Sequence, residues 1–258
     1  MVLLHFFKRF AVKRYGSEFA VAHLDHGLRD ESAEQAVRLQ SYCEEHDLSF
    51  FCKRVALNSV QTGIEARARE TRYAWLEQIA NQHCFDAICT GHHAKDQLET
   101  ILMQYMRGGV HLSGIHPVQY LNSVSTPILR PFLNVTRKSM VAYHSYYQLL
   151  CLEDSSNNDL RFLRNRIRHK LLPMLLQESP HLEINATSQA LIRQSEQLYL
   201  QEQVNAFYEQ YVERNEKSCS VAVRKFTDLH LALQRLVIKK MLISLKKQWR
   251  TFDACHID

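Results

Sequence analysis

Residues 91 to 109 read GHHAKDQLETILMQYMRGG. His92, His93, Asp96 and Glu99 crowd its start, an apolar helical run follows, and Arg107-Gly108-Gly109 closes it. Just upstream, FDAICT (85–90) is a short apolar run of strand character. Ligands of open α/β sheets bind beyond the carboxyl ends of the strands, which puts Gly91, His92 and His93 at such a rim. If the helix starts near Ala94, Asp96 and Glu99 share a face, with Leu98, Ile101, Leu102, Tyr105 and Met106 as the expected buried side. Carboxylates in a first helical turn suit a magnesium–phosphate group or a substrate amine. They equally complement the helix dipole, and the local sequence leaves both readings open. No HExxH zinc box is present.

Working outward, strand and helix patterns alternate. Residues 2–15 read as a helix with Val2, Leu3, Phe6, Phe7 and Phe10 on one face. EFAVAHLDH (18–26) and SFFCKRV (49–55) read as strands, and DESAEQAVRLQSYCEEHDL (30–48) and GIEARARETRYAWLEQIANQH (63–83) as helices. STPILRPF (125–132) is one more strand, followed by a helix that Thr136 caps and that runs to about Leu149. This alternation predicts βαβ units, an α/β fold with a parallel, doubly wound sheet. DSSNND (154–159) is a turn, and LRFLRNRIRHKLLPML (160–175) a helix. Residues 183–216 read as nearly continuous helix, 218–226 as a strand and 227–249 as a last helix. A boundary near Pro180 separates an α/β domain, 1–178, from a mainly helical one, 179–258.

The totals exclude some classes of function. The chain has 258 residues, 46% hydrophobic and 23% charged, ordinary values for a protein with a core. No run approaches the roughly 20 apolar residues of a membrane span, and the apolar start lacks a cleavage site. Seven cysteines at irregular spacing, with no CxxC pair, argue against a disulfide framework or a zinc or iron–sulfur site, so reduced thiols and a cytoplasmic location are expected. A net charge of +5 hints at a polyanionic partner where the basic residues cluster.

They cluster in three places. Arg161, Arg164 and Arg168 form one stripe of a helix, and Arg166 and Lys170 a second, with no acid among them. RNA backbone contact is the better reading there. Arg69 and Arg72 share a helix face and could neutralise a polyphosphate, although pairing with Glu65 and Glu70 is the commoner use of such residues. Lys239, Lys240, Lys246, Lys247 and Arg250 on the last helix read as solubility charge. At the end of the first strand, His23 and Asp25 point to one side and His26 to the other, a rim position that carries little weight alone.

Taken together, HLDHGLRDESAEQA, GIEARARETRYAWLEQIA, TGHHAKDQLETILMQYMRGG, ILRPFLNVTRKSM and EDSSNNDLRFLRNRIRHKLLPML resemble the tRNA(Ile)-lysidine synthetase family of the PP-loop, or N-type, ATP pyrophosphatases. The match covers roughly residues 19–176. HHxxDxxET alone is shared among PP-loop enzymes; the RG after its helix and the run ending RNxIRHxLLP narrow the family. The resemblance implies ATP, magnesium, free lysine and a tRNA(Ile) with a CAU anticodon. ATP activates the C2 carbonyl of the wobble cytidine as an adenylate, releasing pyrophosphate; the lysine side-chain amine then attacks C2, and AMP leaves. It implies catalytic roles for His92, His93, Asp96 and Glu99, with Asp96 also near magnesium. It implies nucleotide and phosphate contacts by His23, Asp25, Arg69, Arg72, Arg107 and Gly108. It assigns tRNA contacts to Arg161, Arg164, Arg166, Arg168 and Lys170. No membrane is involved, and a homodimer is one assembly it allows.

The chain opens inside what reads as the helix that follows the family's SGGxDS loop. That predicts a sheet without its first strand, with two unpaired strand edges, and impaired activity and poor solubility of the chain as written. FDACHID (252–258) resembles the start of a longer C-terminal region. Two rival readings stand beside lysine ligation: a degenerate, non-catalytic tRNA-binding fragment, and a tRNA-thiolating PP-loop relative.

Overall fold

The computed structural model describes residues 1–16, 18–25, 31–55, 64–108, 112–121, 126–150, 160, 162–215 and 218–245. His26, Arg161, the DSSNND turn, Lys246, Lys247 and Arg250 lie outside the described residues. Two compact units emerge: Met1–Asp96 with Pro117–His169, and Gln97–His116 with the described residues from Lys170 onward.

The first unit opens with α1 (Val2–Phe6), a π-helical turn (Phe7–Ala11) and α2 (Val12–Tyr15). Gly16 ends this run at φ 61°, a left-handed position that glycine adopts without strain. Then come β1 (Val21–Asp25), α3 (Glu31–Glu45), β2 (Phe50–Arg54), α4 (Ile64–Gln82) and β3 (Ile88–Cys89). Helix α5 (Ala94–Met106) starts in this unit and continues in the second. β4 (Val118–Gln119), β5 (Ile128–Leu129), α6 (Arg137–Tyr146) and α7 (Leu163–Arg166) complete it, with a π-helical turn (Ile167–Leu171) after α7.

β1 pairs parallel with β2, and β3 parallel with β5, as the alternating pattern predicts. β4, unforeseen in the sequence, adds antiparallel to β5. The strands form two sheets, β1-β2 and β3-β5-β4, so among the described residues β1 and β3 are not paired with each other. One helix serves both. Trp75 and Ile79 of α4 bury Leu24 of β1, and Tyr73 and Ala80 of α4 bury Ile88 and Ile128, with Leu76 and Phe85 packed against both groups. The Thr136 cap is as expected: its hydroxyl accepts the Ser139 N–H at 3.1 Å. Phe6 of α1 lies edge-on to Phe132 with ring centroids 5.3 Å apart, whereas Phe10 of the expected apolar face is exposed.

In the second unit α8 (Leu172–Glu178) leads to α9 (Leu182–Tyr211), a hairpin of β6 (Val212–Arg214) and β7 (Cys219–Val221), α10 (Val223–Thr227) and α11 (Leu231–Leu245). Val204 and Phe207 of α9 pack on Val237 of α11. The stretch read as one strand, 218–226, is a strand only to Val221, then turns at Ala222 into α10.

The buried side of α5 differs from the apolar-face expectation. Leu98 is buried, but so are Gln97 and Glu99, while Tyr105 and Met106 are exposed. The reason is a polar clamp. The Gln97 amide donates to the Ile115 carbonyl at 3.0 Å and accepts the Ile115 N–H. Gln104 accepts the Gly114 N–H at 2.9 Å, and Gln194 of α9 donates to the carbonyls of Ser113 and Ile115. A loop with no sheet to join satisfies its backbone on glutamine side chains instead.

Candidate functional site

The ladder of β3 and β5 determines what meets at the rim. The Thr90 N–H still donates to the Leu129 carbonyl at 2.9 Å, so the chain leaves the sheet at Gly91. Because β3 and β5 are parallel, Cys89 opposite Leu129, the residue after β5 leaves at the same edge. That residue is Arg130. It is 3% exposed, and its guanidinium donates to Gln119 of β4 at 2.8 Å.

Past Gly91, His92 accepts or donates through Nδ1 to the Thr90 hydroxyl at 2.9 Å. The Ala94 N–H is held by the Val135 carbonyl at 2.9 Å, which fixes where α5 begins. Asp96, in the first turn, accepts the His93 N–H at 3.0 Å, the backward half of a capping box. Capping occupies only part of its carboxylate. Its other oxygen receives Arg164 at 2.9 Å and Arg168 at 3.5 Å, and the His93 ring lies 3.4 Å from Oδ2.

These neighbours set the charge states. Burial pushes the Asp96 carboxyl up, but His93, its backbone N–H and Arg164 outweigh that and hold it below the usual carboxylate range. His92 goes the other way for a base. Burial, reinforced by Arg130, Arg69 and Arg164 and only partly opposed by Asp96, lowers it to about 4. At neutral pH the site holds an ionised aspartate and a neutral imidazole. Arg69 is exposed as a residue, yet its guanidinium lies 4.8 Å from the Tyr73 ring centroid. Desolvation lowers its pKa; Tyr73 opposes this, and Arg130, Arg164 and Arg72 add to it. Arg164 and Arg168 thus hold the Asp96 carboxylate, Arg69, Arg130 and Arg164 act together on His92, and Arg72 acts on Arg69, so positive charge is in excess here. Such an excess attracts a polyanion.

The remaining candidates divide. His23 belongs to the electrostatic neighbourhood of Arg72: burial lowers it, Asp25 opposes, Arg72 reinforces. Asp25 is buried in a cross-strand pair with Arg54, 3.4 Å apart, which is the ordinary use of a strand-end acid. Glu99 is fully buried, and it lies in the second unit. Arg107 and Gly108, also there and exposed, terminate α5, with Gly108 left-handed at φ 71°. On the basic helix, Arg164 and Arg168 turn onto Asp96, whereas Arg166 is exposed and donates to the Leu160 carbonyl at 3.1 Å. Lys170 is exposed in the second unit.

The PP-loop domain family matches residues 1–175. Over 238 residues the chain is 32% identical to the tRNA(Ile)-lysidine synthase of Nostoc sp., covering 91% of this chain and 68% of that one. The chain belongs to the tRNA(Ile)-lysidine synthase family. Within that family it is also 33% identical to the enzyme of Bacillus cereus, over 93% of this chain and 52% of the relative. It is 32% identical to the bifunctional protein TilS/HprT of Listeria innocua, over 92% of this chain and 38% of the relative. This lysidine synthase family member thus spans between about a third and two thirds of the length of these relatives. A U34-tRNA thiolase from Methanococcus maripaludis, solved with its 4Fe-4S cluster, shares the fold at a TM-score of 0.58 over 73% of this chain and 66% of its own. The identity is 12%, so the likeness is one of fold alone.

Among these lysidine synthase residues, Arg130 was legible in principle. It directly follows a predicted parallel strand, the same rim logic that selects His92, but a lone arginine in ILRPF carries no spacing pattern to draw attention.

Proposed function

We propose that this chain carries the lysine-ligating chemistry of its family: the C2 carbonyl oxygen of the wobble cytidine of tRNA(Ile) takes AMP from ATP as pyrophosphate leaves, and free lysine then displaces AMP. The observation that carries the reading is an ionised Asp96 held by Arg164 and Arg168 next to a neutral His92 that feels Arg69, Arg130 and Arg164, at the rim of parallel strands.

Arg69, Arg72 and Arg130 draw in the triphosphate and stabilise the departing pyrophosphate. The anionic Asp96 attracts the ε-ammonium of lysine. That ammonium must lose a proton before it can attack. His92, lowered to about 4, is a weak base, whereas the His93 ring lies beside Asp96 and is placed to take the proton. The new N–C2 bond forms as the C2–O bond to AMP breaks, and the electron pair leaves with the phosphate oxygen. Arg164 and Arg168 keep the Asp96 carboxylate ionised and oriented. Exposed Arg166 and Lys170 contact the tRNA backbone.

Magnesium fits as an ion carried in by the nucleotide. Among the described residues no three His, Cys, Asp or Glu gather into a cage, but magnesium bound to phosphates needs only one or two carboxylates. Asp96 would supply one oxygen, and the ion would neutralise phosphate charge.

The test incubates the protein with ATP, labelled lysine and an unmodified tRNA(Ile) transcript, then weighs the digested nucleosides. A cytidine heavier by one lysine less one water is expected. ATP consumption with no label in tRNA, or label entering from a sulfur donor instead, contradicts the proposal. Tight tRNA binding without ATP consumption would mark a non-catalytic relative.

A further inference from the structure

We propose that the first helical run and α6 together form an RNA-binding surface, separate from the Asp96 site and from the basic helix that follows α6. Residues 1–17 hold Lys8, Arg9, Lys13 and Arg14 and no acid at all. Lys8, Arg9, Phe10, Val12, Lys13 and Arg14 are all exposed.

This cationic run lies against aromatic rings. The Arg9 guanidinium is 5.0 Å from the Tyr147 ring centroid and 5.8 Å from that of Phe10. Tyr147 packs at a tilt against Tyr143, ring centroids 4.6 Å apart, and meets Tyr146 edge-on at 4.8 Å. His5 joins the group, hydrogen-bonded to the Tyr143 hydroxyl at 2.9 Å. Tyr146 is 79% exposed, an open ring at the end of a supported aromatic cluster. Exposed Arg137 and Lys138 begin the same helix α6. The positive field is felt locally: His5 is lowered first by burial and then by Arg9 and Lys8.

Cations interleaved with supported, open aromatic rings are the chemistry of nucleic-acid binding, in which phosphates meet the charges and unpaired bases stack on the rings. A lipid surface also attracts basic helices, but it requires a free apolar face. Here Phe6 packs on Phe132 and Phe7 on Phe19, which leaves only Phe10 and Val12 exposed among the described apolar side chains of the run, too small an apolar face for a lipid surface and one that favours RNA. The surface takes tRNA as its partner from the proposed function and rests on that reading only for the identity of the RNA.

The test is fluorescence anisotropy with labelled tRNA(Ile) transcript, repeated between about 50 and 200 mM salt. In the double variant Lys8→Glu/Lys13→Glu, affinity falls ~10-fold or more and the slope of log K against log salt shrinks by about 2. Lys8→Arg/Lys13→Arg keeps both. Tyr146→Ala weakens binding ~5-fold or more. ATP affinity stays level in every variant, which shows the fold intact. Unchanged tRNA affinity and slope in the charge-reversed protein overturn the proposal. So does binding of the wild type to phosphatidylserine–phosphatidylcholine vesicles with no loss of tRNA affinity in the variants. If the nucleoside assay finds no lysine while the double variant still loses RNA affinity, the proposed function fails and this surface stands. The opposite pair of results does the reverse.

Discussion

A histidine in water gives up its proton near pH 6.5; His92 holds its proton only to about pH 4. Burial among arginines makes the charged ring expensive, so the folded protein binds this proton less well than the unfolded chain does. Between about 4 and 6.5 the unfolded state carries more protons, and stability therefore climbs with pH across that window and levels off above it. His5 and His23, also lowered first by burial, push in the same direction. Asp96 contributes in a different range. Its carboxyl is held below the usual value, so its contribution is present above about pH 4 and disappears as pH falls further. Urea midpoints at about pH 4.5 and 7 should differ clearly in the wild type and less in His92→Gln. An equal difference in both proteins would mean that His92 is not the buried, arginine-flanked group described here.

At the next scale, the elements most legible in the sequence are those whose signals are local. Thr136 is a cap by its own hydroxyl, and Gly108 a helix stop by its left-handed φ of 71°. The face of α5 was not legible, because hydrophobic periodicity assumes that an apolar partner lies opposite. The partner is a loop that needs hydrogen bonds, so Gln97 is buried and Tyr105 is not. The ion pairs of Arg164 and Arg168 were not legible either: a stripe of cations reads as RNA-contacting charge, and their partner Asp96 lies about 70 residues away in sequence. The clamp makes a sharp prediction at Gly114. Its φ is +62°, and an added Cβ would lie 2.5 Å from the Gln97 amide oxygen. That amide is held by Ile115 and cannot easily give way. Gly114→Ala should cost ~2–3 kcal/mol, from left-handed strain plus one weakened hydrogen bond. The urea midpoint reads this directly, and an unchanged midpoint would mean that the loop is not clamped.

For the whole molecule, alternation of strands and helices is enough to foresee parallel pairs and a rim that gathers side chains from distant stretches. That logic places His92 and His93 correctly beyond β3. It does not tell which charged residues converge there, because convergence depends on packing between segments far apart in sequence: Arg69 of α4, Arg130 beyond β5 and Arg164 of α7 act together on His92, with Arg164 also on Asp96, only once the chain is folded. The function proposed above depends on that meeting. It is tested most directly by the rate of labelled-lysine transfer to tRNA(Ile) in Asp96→Asn, an isosteric change that keeps the cap position and removes the charge. Transfer should fall ~10²-fold or more while tRNA affinity stays within ~3-fold. Transfer within ~3-fold of wild type would contradict the account.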